Sequence, residues 1–275
     1  MVTKKIRDPQ KRMRKMVWRR LESGDVHLRQ PPGFIIIGAQ KGGTTSLHRY
    51  LTEHPDVGGS VRKEVHFFSW FYAKGMDWYL AHFPQQGKHA VVGEASTSYV
   101  SDPEVPARVR EAVPEVKLIV LLRNPIDRAY SQYQMNVRKE FEPLSFEEAI
   151  AAELERLRAA PDRSSEQWRH ASYLTRGLYA DQLTRWLAVF PREQLLVLQS
   201  EAFFARPQEG LARSLEFLGQ QPWQPPEYEV YNLGTYGGGM GDATRARLAE
   251  YYAPHNQRLY DMMGIDYGAH GWNDE

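Results

Sequence analysis

The stretch Phe34-Ile35-Ile36-Ile37-Gly38-Ala39-Gln40-Lys41-Gly42-Gly43-Thr44-Thr45-Ser46-Leu47 decides how this chain folds. Its apolar, β-branched start predicts a strand buried on both faces, as in a parallel sheet. Leu47, Tyr50 and Leu51 then share one face of a helix. The glycine-bearing turn between this strand and helix reads as a phosphate cradle rather than a plain glycine turn. The first helical amides and the hydroxyls of Thr44, Thr45 and Ser46 can donate to an anion, Gly42 and Gly43 let it approach the backbone, and Lys41 supplies charge. A Walker A loop carries its lysine directly before Ser or Thr. Here Lys41 comes earlier and Gly42-Gly43 intervenes, which disfavours an ordinary ATPase.

Working outward, strand-length apolar runs recur at Phe34–Ile37, Ala90–Val92, Leu118–Leu122 and Leu195–Leu198, separated by helical periodicity. That alternation predicts an α/β fold: a single domain with a mostly parallel central sheet flanked by helices. Leu183, Trp186, Leu187 and Phe190 form one helical stripe. Leu211, Leu215 and Leu218 form another before Gly219, and Leu259, Met262 and Met263 a third before Gly264. The segment Pro222–Gly241, rich in Pro, Gly and Tyr, reads as an irregular loop placed to cover a site or merely to connect.

The second anion-binding signal follows the strand Lys117–Leu122. Arg123 falls at its carboxyl end, where open α/β sheets bind ligands. Asp127 to Tyr133 continue as a helix, so Ser131, two turns on, can reach the same phosphate as Arg123. Asp127 is read as the partner of Arg128. Two anion sites on neighbouring strand ends imply a donor phosphorylated at two positions rather than a linear triphosphate.

Composition sets outer bounds. Among 275 residues, 35 Lys and Arg nearly cancel 34 Asp and Glu, so net charge gives no reason to expect nucleic acid and any anion site is local. Nine of the cations lie within residues 1–20 against Asp8 alone, which reads as a solvated, partly helical arm. There is no cysteine, excluding disulfide scaffolds and thiolate metal sites, and the nine histidines form no ligand motif. No apolar run is long enough to span a bilayer and no signal-peptide core follows the basic start, so a cytoplasmic protein is expected. The aromatic run Phe67 to Tyr72 reads as core, cleft wall or interface. Oligomeric state is open.

Gly38-Ala-Gln-Lys-Gly-Gly-Thr-Thr together with Arg123-Asn-Pro and Ser131 resembles the paired signatures of sulfotransferases that use 3′-phosphoadenosine-5′-phosphosulfate (PAPS). Lys63-Glu-Val-His-Phe-Phe and Arg176-Gly-Leu-Tyr resemble segments of the heparan sulfate, or carbohydrate, sulfotransferase branch and its bacterial relatives. The resemblance covers roughly residues 32–265. It implies the P-loop-NTPase-like sulfotransferase fold, with a basic arm over 1–30 and a sulfotransferase domain over 31–275. It further implies that Lys41 contacts the transferring sulfate, that Gly42, Gly43, Thr44, Thr45 and Ser46 hold the 5′-phosphate, and that Arg123 and Ser131 hold the 3′-phosphate. Tyr179 resembles a donor-site residue, and Glu64 matches the proposed base. PAPS would be the co-substrate, adenosine 3′,5′-bisphosphate the product, and no metal is required.

From the residues alone, a carboxylate among aromatics suits proton abstraction from a hydroxyl. Alternation places Glu64 and His66 on one strand face, and either can be the base; Glu94, after another strand, is a third candidate. The expected reaction is in-line sulfuryl transfer to a hydroxyl, or less readily an amine, of a carbohydrate or natural-product acceptor. The alternatives are a nucleotide kinase with an atypical loop, or a non-catalytic binding module of the same fold. Two departures from the animal enzymes of that branch stand out. Ser69 occupies a typically acidic position, and Tyr236-Gly-Gly-Gly-Met240 replaces a Lys-Gly-Arg type motif, which argues against a long anionic polysaccharide acceptor.

Overall fold

The computed structural model describes residues 9–163, 165–229, 231, 239–265 and 272. Five strands form the sheet: β1 (Phe34–Gly38), β2 (Val57–Gly59), β3 (Val91–Ala95), β4 (Lys117–Leu122) and β5 (Leu195–Gln199). Their order is β2-β3-β1-β4-β5, and every pairing is parallel. The four predicted runs all appear, each shifted or extended by a residue or more. β2 went unpredicted because three residues, two of them glycine, carry no periodicity.

The central strand shows why the apolar run is continuous. Ile35 and Ile37 pack on one face with Val92, Leu118, Val120 and Leu122, whereas Phe34 and Ile36 pack on the other with Leu47, Tyr50, Leu51, Ile119 and Leu121. Period-two alternation therefore feeds two cores, one on each face of the sheet, and both faces are covered by helices. The stripe of Leu183 and Trp186 lies in the helix Tyr179–Leu187, with Phe190 just beyond it. Gly219 and Gly264 end the helices Pro207–Leu218 and Asp242–Met263 in left-handed conformations.

Because β3 and β4 flank β1 on opposite sides, the chain leaves β1 for one half of the sheet and later returns to the other half. The carboxyl end of β1 is thus a topological switch point, where crossovers diverge and leave a crevice. The basic start is less solvated than its charge predicts. In the helix Pro9–Glu22, Val17 is buried beside Val26 and Ala81, and Arg20 donates to the carbonyls of Ala81 and Phe83 at 2.8 and 3.1 Å. Of the predicted Pro222–Gly241 loop, residues 230 and 232–238 lie outside the described residues, including Tyr236 to Gly238. The described part packs onto the helix Thr44–Glu53 through Tyr50 Oη, which donates to Glu229 O at 2.6 Å. No helix among the described residues is long and apolar enough to cross a membrane.

Gly93 reports on sheet closeness. A Cβ there would stand 2.5 Å from both the ring and the carbonyl oxygen of Phe34, and the carbonyl belongs to a ladder that cannot move aside. Gly93→Ala is expected to lower stability by about 1–3 kcal/mol, read as a lower denaturant midpoint at unchanged slope.

Candidate active site

The crevice is shaped first by the loop after β1. Ala39 N donates to Leu121 O on β4 at 2.8 Å, and Gly42 N donates to Ala39 O at 3.0 Å, so the loop lies flat over the end of β4. A Cβ on Gly42 would stand 2.5 Å from Leu121 O, which reserves the position for glycine. Lys41 and Gly43 take left-handed φ values of 71° and 92°. For a lysine that conformation is uncommon, and here it reverses the chain before Thr44 opens the helix. Arg123 Nη1 donates to Lys41 O at 3.3 Å, joining the two predicted anion sites. Asn124 fixes Arg123 from behind: its side chain caps the next helix by accepting from Ile126 N, ahead of Pro125 at the first turn.

A cavity of about 1070 Å³ opens above these strand ends. Lys41, Gly43, Thr44, Thr45, Arg123 and Ser131 line it, and so do Glu64 and His66. Three predicted donor residues stand back from it. Gly42 presses on β4, and Ser46 is buried, its hydroxyl accepting from Tyr231 N at 3.2 Å. Tyr179 is buried as well, and its hydroxyl donates to Arg123 O at 2.9 Å, holding the arginine's backbone.

Glu64 and His66 meet, but not as strand neighbours. Both have left-handed φ, 64° and 55°, and the segment is irregular, with His66 preceding the short helix Phe67–Trp70. The reversal brings His66 Nε2 within 3.3 Å of Glu64 Oε2, while Lys63 Nζ lies 2.9 Å from Glu64 Oε1. Burial pushes the Glu64 carboxyl toward its neutral form, but the hydrogen bond from His66 and the charge of Lys63 overcome this and hold it well below the usual carboxylate range. Burial lowers the affinity of His66 for a proton, opposed by Glu64. The resulting pair at neutral pH is a carboxylate beside a neutral imidazole.

Glu94, the third candidate base, is fully buried and does not line the cavity. It accepts hydrogen bonds from Tyr79 at 2.8 Å, Tyr99 at 2.9 Å and Ser96 at 2.6 Å. Ser96 Oγ in turn accepts from His66 N at 2.9 Å. Glu94 therefore anchors the segment that presents Glu64 and His66.

Electrostatically, cations outnumber acids in the cavity lining. Lys41, Arg62, Arg123, Arg138, Lys139, Arg169 and Arg176 line it against Glu64, Asp127 and Glu201. Burial lowers the proton affinity of Lys41, and Arg138, Arg123, Lys139 and Arg128 lower it further. Burial likewise lowers the Arg176 guanidinium to about 9, with Arg128 adding repulsion. Such crowding of like charge around helix amides is relieved by a multiply charged anion.

Residues 31–228 match the family model described as the sulfotransferase domain. The chain belongs to the sulfotransferase family. This sulfotransferase is 32% identical over 271 residues to human heparan sulfate glucosamine 3-O-sulfotransferase 3A1, covering 88% of the chain and 63% of that relative. It is 30% identical to human heparan sulfate glucosamine 3-O-sulfotransferase 6, covering 87% of the chain and 74% of that relative. The chain thus spans under two thirds of the 3A1 relative. Among solved structures it resembles the sulfotransferase from Alicyclobacillus acidocaldarius, with TM-score 0.76, 34% identity, 88% of this chain and 99% of that one covered.

Within the sulfotransferase cavity, one pairing predicted from sequence differs. Asp127 binds Arg245 at 2.6 Å, whereas Arg128, buried, donates to Gln132 and to Tyr173 O. Adjacent helical residues point about 100° apart, so the two cannot face each other. Sequence reasoning also missed Arg62, Trp70, Arg138, Lys139, Phe141 and Arg169 as cavity residues. A signal existed for one: Asp127, Ser131, Met135 and Arg138 recur at helical spacing along Pro125–Arg138 and all line the cavity.

If Glu94 is the anchor, Glu94→Ala leaves three hydroxyl donors without their acceptor, at about 1–3 kcal/mol each. The variant should lose at least about 3 kcal/mol of stability in chemical denaturation, and Glu94→Gln, which keeps an acceptor oxygen, should lose less. Equal, near-zero losses would remove Glu94 from this role.

Proposed function

We propose that this chain transfers the sulfuryl group of PAPS to a hydroxyl of a carbohydrate acceptor, with Glu64 as the base. One observation carries the reading. Lys41, in the loop after β1, and Arg123, just past β4, are joined by a 3.3 Å hydrogen bond and line a single cavity with Glu64. The site fits the donor's charge: cations crowd Lys41, and no described acid pairs with it, so phosphates at two positions would neutralise the loop and the β4 end together.

Thr44, Thr45 and the first amides of the helix Thr44–Glu53 would hold the 5′-phosphate, and Arg123 and Ser131 the 3′-phosphate. Lys41 would sit by the sulfuryl oxygens and the bridging oxygen. As the acceptor oxygen bonds to sulfur, the bond from sulfur to the bridging oxygen breaks and its electron pair leaves with the bisphosphate, while the hydroxyl proton passes to Glu64. Lys41 stabilises the charge growing on the leaving oxygen. Glu64 is a weak base because Lys63 and His66 hold it ionised, so its proton transfer is concerted with sulfuryl transfer. Phe141, partly exposed, lines the cavity together with Arg62 and Arg169, which suit a sugar bearing an anionic group. The names of the relatives, which act on heparan sulfate glucosamine, point the same way.

Adenosine 3′,5′-bisphosphate is expected to raise the melting temperature more than adenosine 5′-monophosphate, and Arg123→Ala to weaken bisphosphate binding about 10- to 100-fold. Equal stabilisation by the two nucleotides would refute the two-site donor reading, and stabilisation by ATP with magnesium alone would favour a kinase. With labelled PAPS and glucosamine oligosaccharides from heparan sulfate, Glu64→Gln should lower kcat by about 10²- to 10⁴-fold. Wild-type kcat should persist through neutral pH and fall only below the ordinary carboxylate range, since Glu64 loses its charge only as pH falls through its lowered pKa.

A further inference from the structure

Behind the base lies a feature that the proposed reaction does not use. Ser98 Oγ stands 2.9 Å from His66 Nδ1, and Ser69 Oγ stands 3.0 Å from Ser98 Oγ. All three side chains are buried; Glu64, His66 and Ser98 also line the cavity wall, and Ser69 stands behind them. We propose that the Ser69–Ser98 hydroxyl pair holds the imidazole of His66 in the tautomer that donates from Nε2 to Glu64, making Ser98 a positioning residue for the base. The role rests on the reading of Glu64 as base.

The direction of the chain follows from counting donors. His66 O already accepts from Trp70 N at 2.9 Å and Phe71 N at 3.2 Å, and Ser69 Oγ reaches it only at 3.4 Å. The shorter 3.0 Å partner, Ser98 Oγ, takes the Ser69 proton instead. Ser98 then has its own proton to give, and Nδ1 is the acceptor in reach. With Nδ1 accepting, the neutral ring carries its proton on Nε2, 3.3 Å from the Glu64 carboxylate. Glu64 Oε1 is left to Lys63, to the Thr97 hydroxyl at 3.4 Å and to the cavity.

The chemical consequence is set by charge. In a serine protease triad a carboxylate behind the histidine stabilises an imidazolium, so the proton taken up resides on the ring. Here two neutral hydroxyls stand in that place. The groups around the ring also oppose its protonation: Arg62 and Lys63 repel a charge, burial penalises it, and only Glu64 favours it. Trp70 stacks on the ring with centroids 3.6 Å apart, and Arg169 covers Trp70 from 4.2 Å. The proton abstracted from the acceptor therefore stays on Glu64, and His66 orients that carboxylate without sharing the proton.

The test reads the ring directly. In protein labelled with ¹⁵N-histidine, His66 should show the neutral Nε2–H tautomer at neutral pH. Ser98→Ala should mix the tautomers and lower kcat about tenfold at unchanged KM for the heparan oligosaccharides, with bisphosphate binding intact as the check on folding; Ser98→Thr should restore both. Ser69→Asp should place an imidazolium at His66 at neutral pH and give the kcat profile an acid limb in the range of an ordinary histidine. A wild-type ring protonated on Nδ1, or Ser98→Ala and Ser69→Asp with wild-type spectra and pH profile, would overturn the proposal. If Glu64→Gln keeps full turnover, the base reading fails, whatever the tautomer; if Glu64→Gln is inactive while the serine variants behave as wild type, only the hydroxyl chain fails.

Discussion

The contact on which the site depends is the one between Gly42 and the Leu121 carbonyl. Parallel strands β1 and β4 end side by side, and the chain leaving β1 has to cross the end of β4 before starting a helix. A side chain at position 42 would collide with the β4 backbone at 2.5 Å and lift the loop away. With glycine there, the loop lies low enough for Arg123, the first residue past β4, to reach the carbonyl of Lys41. One close backbone approach thus couples two cations, and the left-handed lysine just before Gly42 is a consequence of making the turn in so few residues.

The opposite wall is organised by a buried acid. Burial raises the proton affinity of Glu94, and hydrogen bonds from Ser96, Tyr79 and Tyr99 counter this. Its network reaches His66 N through Ser96, and Glu64 N donates to Ala95 O at 2.8 Å, so the end of β3 suspends an irregular segment with two left-handed residues. Rigid strand ends on both sides fix the separation between the Lys41 loop and Glu64, which the proposed in-line transfer requires to be constant.

What was legible in the sequence was whatever repeats along it. Ile35 to Ile37 and Leu118 to Leu122 announce buried parallel strands by their unbroken apolar character, and the glycine, lysine and hydroxyl residues after β1 carry the chemistry of an anion cradle in contiguous order. Glu64 and His66 were found as candidates, but for the wrong geometric reason: their proximity comes from two reversed φ angles rather than strand alternation. Ser46 and Tyr179 are adjacent to the chemistry in sequence yet turn inward, because hydroxyls buried near a loop are drawn to backbone groups that otherwise lack partners. Arg62 and Trp70 flank Glu64 and His66, while Arg169 comes from the distant helix Glu166–Ala171 that only the tertiary fold brings to the cavity, and no local pattern marks the three.

Charge links these walls into one device. Around the loop after β1, Lys41, Arg123 and the buried Arg128 and Arg176 accumulate positive potential with few acids to offset it, since Asp127 is engaged by Arg245 and burial raises the proton affinity of Glu201. On the facing wall the Glu64 carboxylate is kept ionised by His66 and Lys63. The two demands conflict in principle, because a field strong enough to draw in a multiply charged donor also weakens any base within it. Backing His66 with the neutral hydroxyls of Ser98 and Ser69 limits the conflict: a neutral ring adds a hydrogen bond to Glu64 without adding another positive charge beside it. In the proposed reaction the base strength of Glu64 is then limited by the His66 hydrogen bond and by Lys63, with no ring charge added to them.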